Sequence, residues 1–229
     1  MGPYGPQDVF APYEKIIQFI NQVINQLFQQ YSTYSNVDIS LEVFAVIFGF
    51  ISVWYSKNNN VLVFPTGLIN TSIFVYLLFK WELLGDMLIN AYYFIISIYG
   101  WYYWTRKSKK QNYTPITFLN SKDIKVVLII ALSSAIFVSL MYSYFDKWSG
   151  VVSYIDILTT SIFFIGMWLM ARRKIESWIF WIVGDVISVP LYFYKGLTFT
   201  SFQYFIFTFI AIAGYYKWKA IYNKNHPIV

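Results

Sequence analysis

Residues 90–104 read N-A-Y-Y-F-I-I-S-I-Y-G-W-Y-Y-W, and residues 204–218 read Y-F-I-F-T-F-I-A-I-A-G-Y-Y-K-W. The two stretches lie 114 positions apart and end alike, Gly100 on Gly214 and Trp104 on Trp218. Working outward, the match runs without a gap from 42–104 onto 156–218, with Glu42 on Asp156 and Trp54 on Trp168. Coincidences of Ile, Leu, Val and Phe come cheaply in an apolar chain, but matched tryptophans, glycines and acidic positions do not. The chain therefore reads as two copies of one unit.

Each unit contains three apolar runs, and one further run lies between them. The seven runs fall near 39–56, 61–79, 84–104, 124–145, 151–170, 178–194 and 198–219. They are continuous instead of alternating with period two, which selects membrane helices over a barrel. Three is odd, so two such units joined directly would be inverted. The fourth run, 124–145, turns the chain back and makes the units parallel. The expected fold is an all-α integral membrane protein with seven transmembrane helices in a 3+1+3 arrangement, as in transporters whose parallel repeats are related by an axis along the membrane normal. The boundaries follow: a lead-in with an amphipathic helix at 1–38, a first repeat at 39–104, a basic loop and linker helix at 105–150, a second repeat at 151–219 and a tail at 220–229.

Composition agrees. Of 229 residues, 58% are hydrophobic and 12% charged, about half the charge fraction of a soluble domain. With no cysteine, thiolate metal sites, disulfides and cysteine nucleophiles are excluded. The single histidine, His226, stands near the end of the chain, which excludes a histidine metal cluster or triad. There is no G-x-x-x-x-G-K-[ST] phosphate loop, and no lysine in the middle of the last run to hold a retinal. An enzyme is not expected, and neither are a cofactor, a metal or a nucleic acid; the partners are the lipid bilayer and a small molecule, with homo-oligomerisation left open.

The charge placement orients the chain. Residues 1–11 carry two prolines and two glycines, and no basic segment followed by an apolar one marks a signal peptide. In residues 12–31, Ile16, Ile17, Ile20, Val23, Ile24, Leu27 and Phe28 recur at helical spacing against Gln and Asn, the pattern of a helix lying on a surface. Of the 17 basic residues, Lys15, Lys80, Lys147 and Lys195 fall on one side; the other 13, among them Arg106, Lys107, Lys109, Lys110, Arg172, Arg173, Lys174 and Lys217, fall on the opposite side. The positive-inside rule puts the N-terminus outside and the C-terminus in the cytoplasm of a cell inner membrane.

Polar residues inside apolar runs are costly and face the bundle interior. The third run carries Asp86, Asn90, Tyr93, Ser97, Gly100 and Trp104 on one helical stripe; the sixth carries Trp178, Trp181, Asp185, Ser188 and Tyr192; the seventh carries Thr200, Gln203, Phe207, Ala211 and Gly214. From these, the candidate substrate-binding set is Trp178, Trp181, Asp185, Gln203, Asn90, Tyr93, Ser188, Tyr192 and Thr200. Indole rings beside a carboxylate suit a ligand with flat and polar parts. Ser97, Gly100 and Gly214 serve equally as helix-packing residues, and Glu42 and Asp156 equally as carboxylates at helix N-termini.

These motifs resemble the PnuC family of bacterial vitamin-precursor transporters. The resemblance covers about residues 40–220 and rests on Glu42 with Trp54, on F-P-x-G at Phe64–Gly67, and on the Asn90–Trp104 stretch. It also rests on W-I-F-W-I-V-G-D-V-I-S-V-P-L-Y at Trp178–Tyr192, on Lys195-Gly196-Leu197, and on G-Y-Y-K-W at Gly214–Trp218. The W-x-x-W-x-x-x-[ND] pattern is its most specific element, and here its last position is Asp185 where many members have Asn. The resemblance implies a seven-helix fold related to the SWEET sugar transporters and facilitated diffusion of a non-phosphorylated vitamin precursor, nicotinamide riboside first, with thiamine or riboflavin as alternatives. A membrane receptor that binds without translocating is the rival class.

Overall fold

The structure, a computed structural model, describes residues 34–81, 83–106, 114–195 and 198–226, with parts of 13–25. Within 13–25, positions 13–14, 16–22 and 25 are helical and exposed, including Ile16, Ile17, Phe19 and Ile20. The rest of the expected amphipathic helix, the lead-in 1–11 and the basic cluster Lys107, Lys109 and Lys110 lie outside the described residues.

Seven long helices follow: α1 (Asn36–Lys57), α2 (Val63–Lys80), α3 (Leu84–Thr105), α4 (Ser121–Tyr144), α5 (Val151–Ala171), α6 (Ser177–Tyr194) and α7 (Thr198–Asn225). Among the described residues, α1, α2, α4, α5 and α6 are long and apolar enough to cross a membrane. Local chemistry sets several ends. The Ser35 side chain caps α1 by accepting from the Asp38 N–H at 3.2 Å. Asn120 and Asp123 form a capping box at the start of α4. Pro65 sits in the first turn of α2, where its missing N–H costs nothing. Helix α7 continues six residues beyond the expected end at 219. Ile221 and Tyr222 there pack against the buried core, with the Tyr222 ring 4.7 Å from Phe118.

Helices α1, α2 and α3 pack in chain order, as do α5, α6 and α7; the two sets touch through α3 with α5 and through α1 with α7, while α4 packs on α5. Details recur at the 114-residue offset. Trp104 Nε1–H donates to the Met170 carbonyl at 3.2 Å, and Trp218 Nε1–H to the Ser56 carbonyl at 3.0 Å. Phe64 meets Trp104 edge-on at 5.0 Å, and Trp178 meets Trp218 edge-on at 5.5 Å. Gly100 and Gly214 permit these approaches, because a Cβ at either would fall within 2.6 Å of the Phe64 or Trp178 ring.

The turn after α1 and the turn after α5 share one conformation. Asn58, Asn59 and Asn60 donate backbone bonds to Trp54, Ser56 and Tyr55; Arg172, Arg173 and Lys174 donate to Trp168, Met170 and Leu169. Asn59 and Arg173 both take a left-handed conformation, at φ 53° and 57°, which ends each helix. Residues equivalent by sequence also meet one another: Arg173 Nη2–H donates to Asn59 Oδ1 at 2.6 Å, the Trp104 and Trp218 rings lie 5.6 Å apart, and the Ser56 hydroxyl approaches the Met170 sulfur at 2.9 Å. Contact between equivalent residues is what a two-fold relation produces along its axis.

Among the described residues only the second turn is strapped by the segment before α4. Thr117 exchanges backbone bonds with Arg173 and Ile175 at 3.1 Å each, the Glu176 carboxylate accepts from the Leu119 N–H at 3.0 Å, and buried Lys174 pairs with buried Asp123 at 2.7 Å. At the opposite end each repeat is clasped by an ion pair, Asp38 with Lys80 at 2.7 Å and Asp156 with Lys195 at 2.6 Å. Asp156 also accepts from the Tyr142 hydroxyl at 2.6 Å, so this carboxylate holds helices together.

Candidate substrate site

Between the two three-helix sets lies a cavity of about 490 Å³, a size suited to a small organic molecule. At the basic end it is floored by the packed cluster of Phe64, Met170, Trp178, Trp104 and Trp218. Toward the other end it reaches Asp86, in the first turn of α3.

Six of the nine candidate residues line this cavity: Trp178, Trp181, Asp185, Gln203, Asn90 and Tyr93. Trp178, Trp181 and Asp185 share one face of α6, and their spacing carries the stripe from the floor toward the middle. Asp185 is 2% exposed and has no ion pair or hydrogen bond to its carboxylate among the described residues. Among the described residues, the buried indole N–H groups of Trp178 and Trp181 have no hydrogen-bond partner. Each such donor costs about 1–3 kcal/mol until something accepts from it, so both stand ready for a ligand or water. The Asn90 amide donates to the Asp86 backbone carbonyl at 3.0 Å, which fixes its orientation and leaves its oxygen to accept.

The other three do not reach the cavity. Ser188 is fully buried one turn beyond Asp185, its hydroxyl unpartnered. Tyr192 stands behind the wall, its ring 5.1 Å from Tyr204, which does line it. Thr200 is half-buried at the start of α7, and its neighbour Ser201 instead ties α7 to α6 through the Val189 carbonyl at 2.7 Å. The stripes continue in sequence beyond the point where the helices leave the cavity.

Sequence reasoning missed the aromatic part of the wall, and it noticed the polar residues of the second run without placing them in the candidate set. Phe163 packs 5.5 Å from Trp181 and 5.7 Å from Tyr204, completing an aromatic side. Thr71 and Asn70 line the opposite side from α2; Asn70 donates to the Ala45 carbonyl at 2.7 Å, and Thr71 to the Gly67 carbonyl at 2.8 Å. The 114-residue offset was the available signal, because Thr71 falls on Asp185, Gly67 on Trp181 and Asn90 on Tyr204. The cavity is thus roughly two-fold in outline and one-sided in chemistry. The second repeat supplies Trp181 and Asp185 where the first supplies a glycine and a threonine.

Among the described residues the lining includes two carboxylates, Asp86 and Asp185, and no lysine or arginine. Such a site suits a flat, polar, uncharged or cationic molecule. An anion would lose its hydration with nothing to pair it.

Comparison with known proteins places these features. Residues 39–220 match the family described as nicotinamide mononucleotide transporter. The nicotinamide riboside transporter PnuC of Escherichia coli is 24% identical over 202 residues, covering 78% of this chain and 84% of that protein. The riboflavin/roseoflavin transporter RibM of Streptomyces davaonensis is 24% identical over 147 residues, covering 61% and 66%. The crystal structure of the vitamin B3 transporter PnuC superposes with a TM-score of 0.60 at 17% identity, covering 98% of this chain and 95% of that one.

Proposed function

The chain belongs to the nicotinamide mononucleotide transporter family, and we propose that it takes up a non-phosphorylated vitamin precursor, nicotinamide riboside, by facilitated diffusion. It is a multi-pass membrane transporter and not an enzyme. The observation that carries the substrate is the cavity wall: Trp178 and Trp181 beside Asp185, with no basic residue among the described lining. A cationic pyridinium ring stacked on an indole gains about 1–2 kcal/mol when desolvated. Asp185, Gln203 and Asn90 offer acceptors and donors for a carboxamide and sugar hydroxyls. A phosphate would enter unpaired, which favours the nucleoside over the nucleotide of the family's description.

The same reading takes the seven helices as seven spans in a 3+1+3, SWEET-like arrangement, with repeats at 39–104 and 151–219. The recurring contacts of Trp104 and Trp218 support it. The basic end, which holds the turns after α1 and α5 and the end of α7, faces the cytoplasm of the inner membrane, and the N-terminus lies outside. The cavity then opens outward above a closed cytoplasmic floor.

Uptake of labelled nicotinamide riboside, thiamine and riboflavin by cells expressing the protein tests the substrate. Nicotinamide riboside accumulates first on this reading. Preferential accumulation of riboflavin would move the chain beside its RibM-like relatives, and preferential accumulation of thiamine would keep the cation and change the ring.

A further inference from the structure

Asp86 differs from Asp38 and Asp156, the two carboxylates that clasp helices at its end of the molecule. Asp38 is held by Lys80 at 2.7 Å, and Asp156 by Lys195 and Tyr142 at 2.6 Å each. Asp86 has no ion pair among the described residues, its side chain is exposed, and it lines the cavity. Lys195, the basic residue at the same end of the second repeat, pairs with Asp156 and lies within electrostatic reach of Asp86, as Asp156 itself does, so the pair's two opposite charges act on Asp86 together. The backbone carbonyl of Asp86 accepts from Asn90, so the residue is anchored to the wall one helical turn further in. Two turns inward on the same face, about 10 Å along the axis, stands Tyr93, within electrostatic reach of Asp185. Among the described residues the pathway therefore presents one carboxylate without an ion pair at its mouth and a second in its interior, with the indole donors of Trp178 and Trp181, which have no hydrogen-bond partner there, beyond.

We propose that Asp86 is the entry residue that selects for cations, raising the local concentration of a positively charged vitamin precursor at the mouth before Asp185 and the indoles receive it. A charge lining a low-dielectric cleft focuses its field along the cleft, so it acts on approach as well as on contact. The 114-residue offset underlines the specialisation, since the equivalent of Asp86 in the second repeat is Thr200, which lies outside the cavity lining. This inference rests on the nicotinamide riboside reading.

The test is uptake into liposomes holding the purified protein, with nicotinamide riboside as the cation and its neutral 1,4-dihydro form as the isostere. Asp86→Asn should raise KM for the cation by roughly two- to fivefold, the scale of one solvent-exposed charge, with little change in the maximal rate and none in handling of the neutral form. Asp86→Glu should restore the wild-type KM. In the wild type, KM for the cation should rise between low and high salt, and that dependence should flatten in Asp86→Asn, because salt screens an exposed charge. Equal losses for cation and neutral form, or an unchanged salt dependence in Asp86→Asn, would overturn the proposal and leave Asp86 a structural residue. A wild type that carries thiamine but not nicotinamide riboside would overturn the substrate reading alone, and the Asp86→Asn comparison would then be read on thiamine. A wild type that carries riboflavin in preference to both cations would overturn the two together.

Discussion

Asp185 combines deep burial with a place on the cavity wall, and a carboxylate in a membrane interior costs about 2.5–3.5 kcal/mol by insertion estimates. A cost of that size is retained where the group meets a ligand. Asp185→Asn keeps the shape and removes the charge, so the Kd for a cationic ligand, read by calorimetry, should rise about tenfold while protein abundance stays level. Asp185→Leu removes the burial cost and should insert at least as well but transport poorly; normal transport by the Leu variant would take Asp185 out of the site. Trp178, Trp181 and Asp185 were legible in the sequence because helical periodicity puts them on one face. Ser188 and Tyr192 share that face and fall short of the cavity, since periodicity reports a direction and not where the cavity ends. Phe163 and Tyr204 were illegible for a related reason. An aromatic residue in an apolar run looks like any other until the helix it faces is known.

At the scale of elements, the two repeats differ most in how their first turns are held. The turn after α5 is strapped by residues 114–120 and by the Lys174–Asp123 pair, while the turn after α1 is met by Arg173 at Asn59 and by Lys217 at Asn58, 2.6 Å each. Removing one partner of a buried pair leaves an uncompensated charge and costs about 3–5 kcal/mol, whereas an apolar replacement of both is often neutral. Lys174→Met should therefore lower the thermal stability of the detergent-solubilised protein markedly, and the double variant Lys174→Met with Asp123→Leu should recover part of it, falling short of the wild type by the capping bond that Asp123 makes to the Asn120 N–H, about 1 kcal/mol. A single variant as stable as the wild type would show that the strap holds without the pair. None of this was readable beforehand: Lys174 was counted as a loop charge that orients the protein, and only the fold reveals that it is buried. The helix positions were readable, because long apolar runs leave little choice of secondary structure, while the extension of α7 to Asn225 was missed because it depends on packing of Ile221 and Tyr222.

For the whole molecule, the repeat carried the most information of any sequence feature. It paired positions 114 residues apart, and two of them, Trp104 and Trp218, make equivalent bonds in the structure. What it could not give was the asymmetry within the cavity, where one repeat provides Trp181 and Asp185 and the other Gly67 and Thr71. The orientation rests on the distribution of lysine and arginine and is open to direct test in a chain with no native cysteine. A cysteine at Lys224 should react with an impermeant thiol reagent only from the cytoplasmic face, and one at Lys147 only from outside; the reverse pattern would invert the topology. The central claim, that the chain translocates its ligand passively, is tested most directly by flux. Liposomes containing the purified protein, with identical salt and pH on both sides and no ATP, should fill with labelled nicotinamide riboside until inside and outside concentrations are equal. Uptake only under an imposed proton or sodium gradient, or binding of the ligand with an interior that stays empty, would contradict the account.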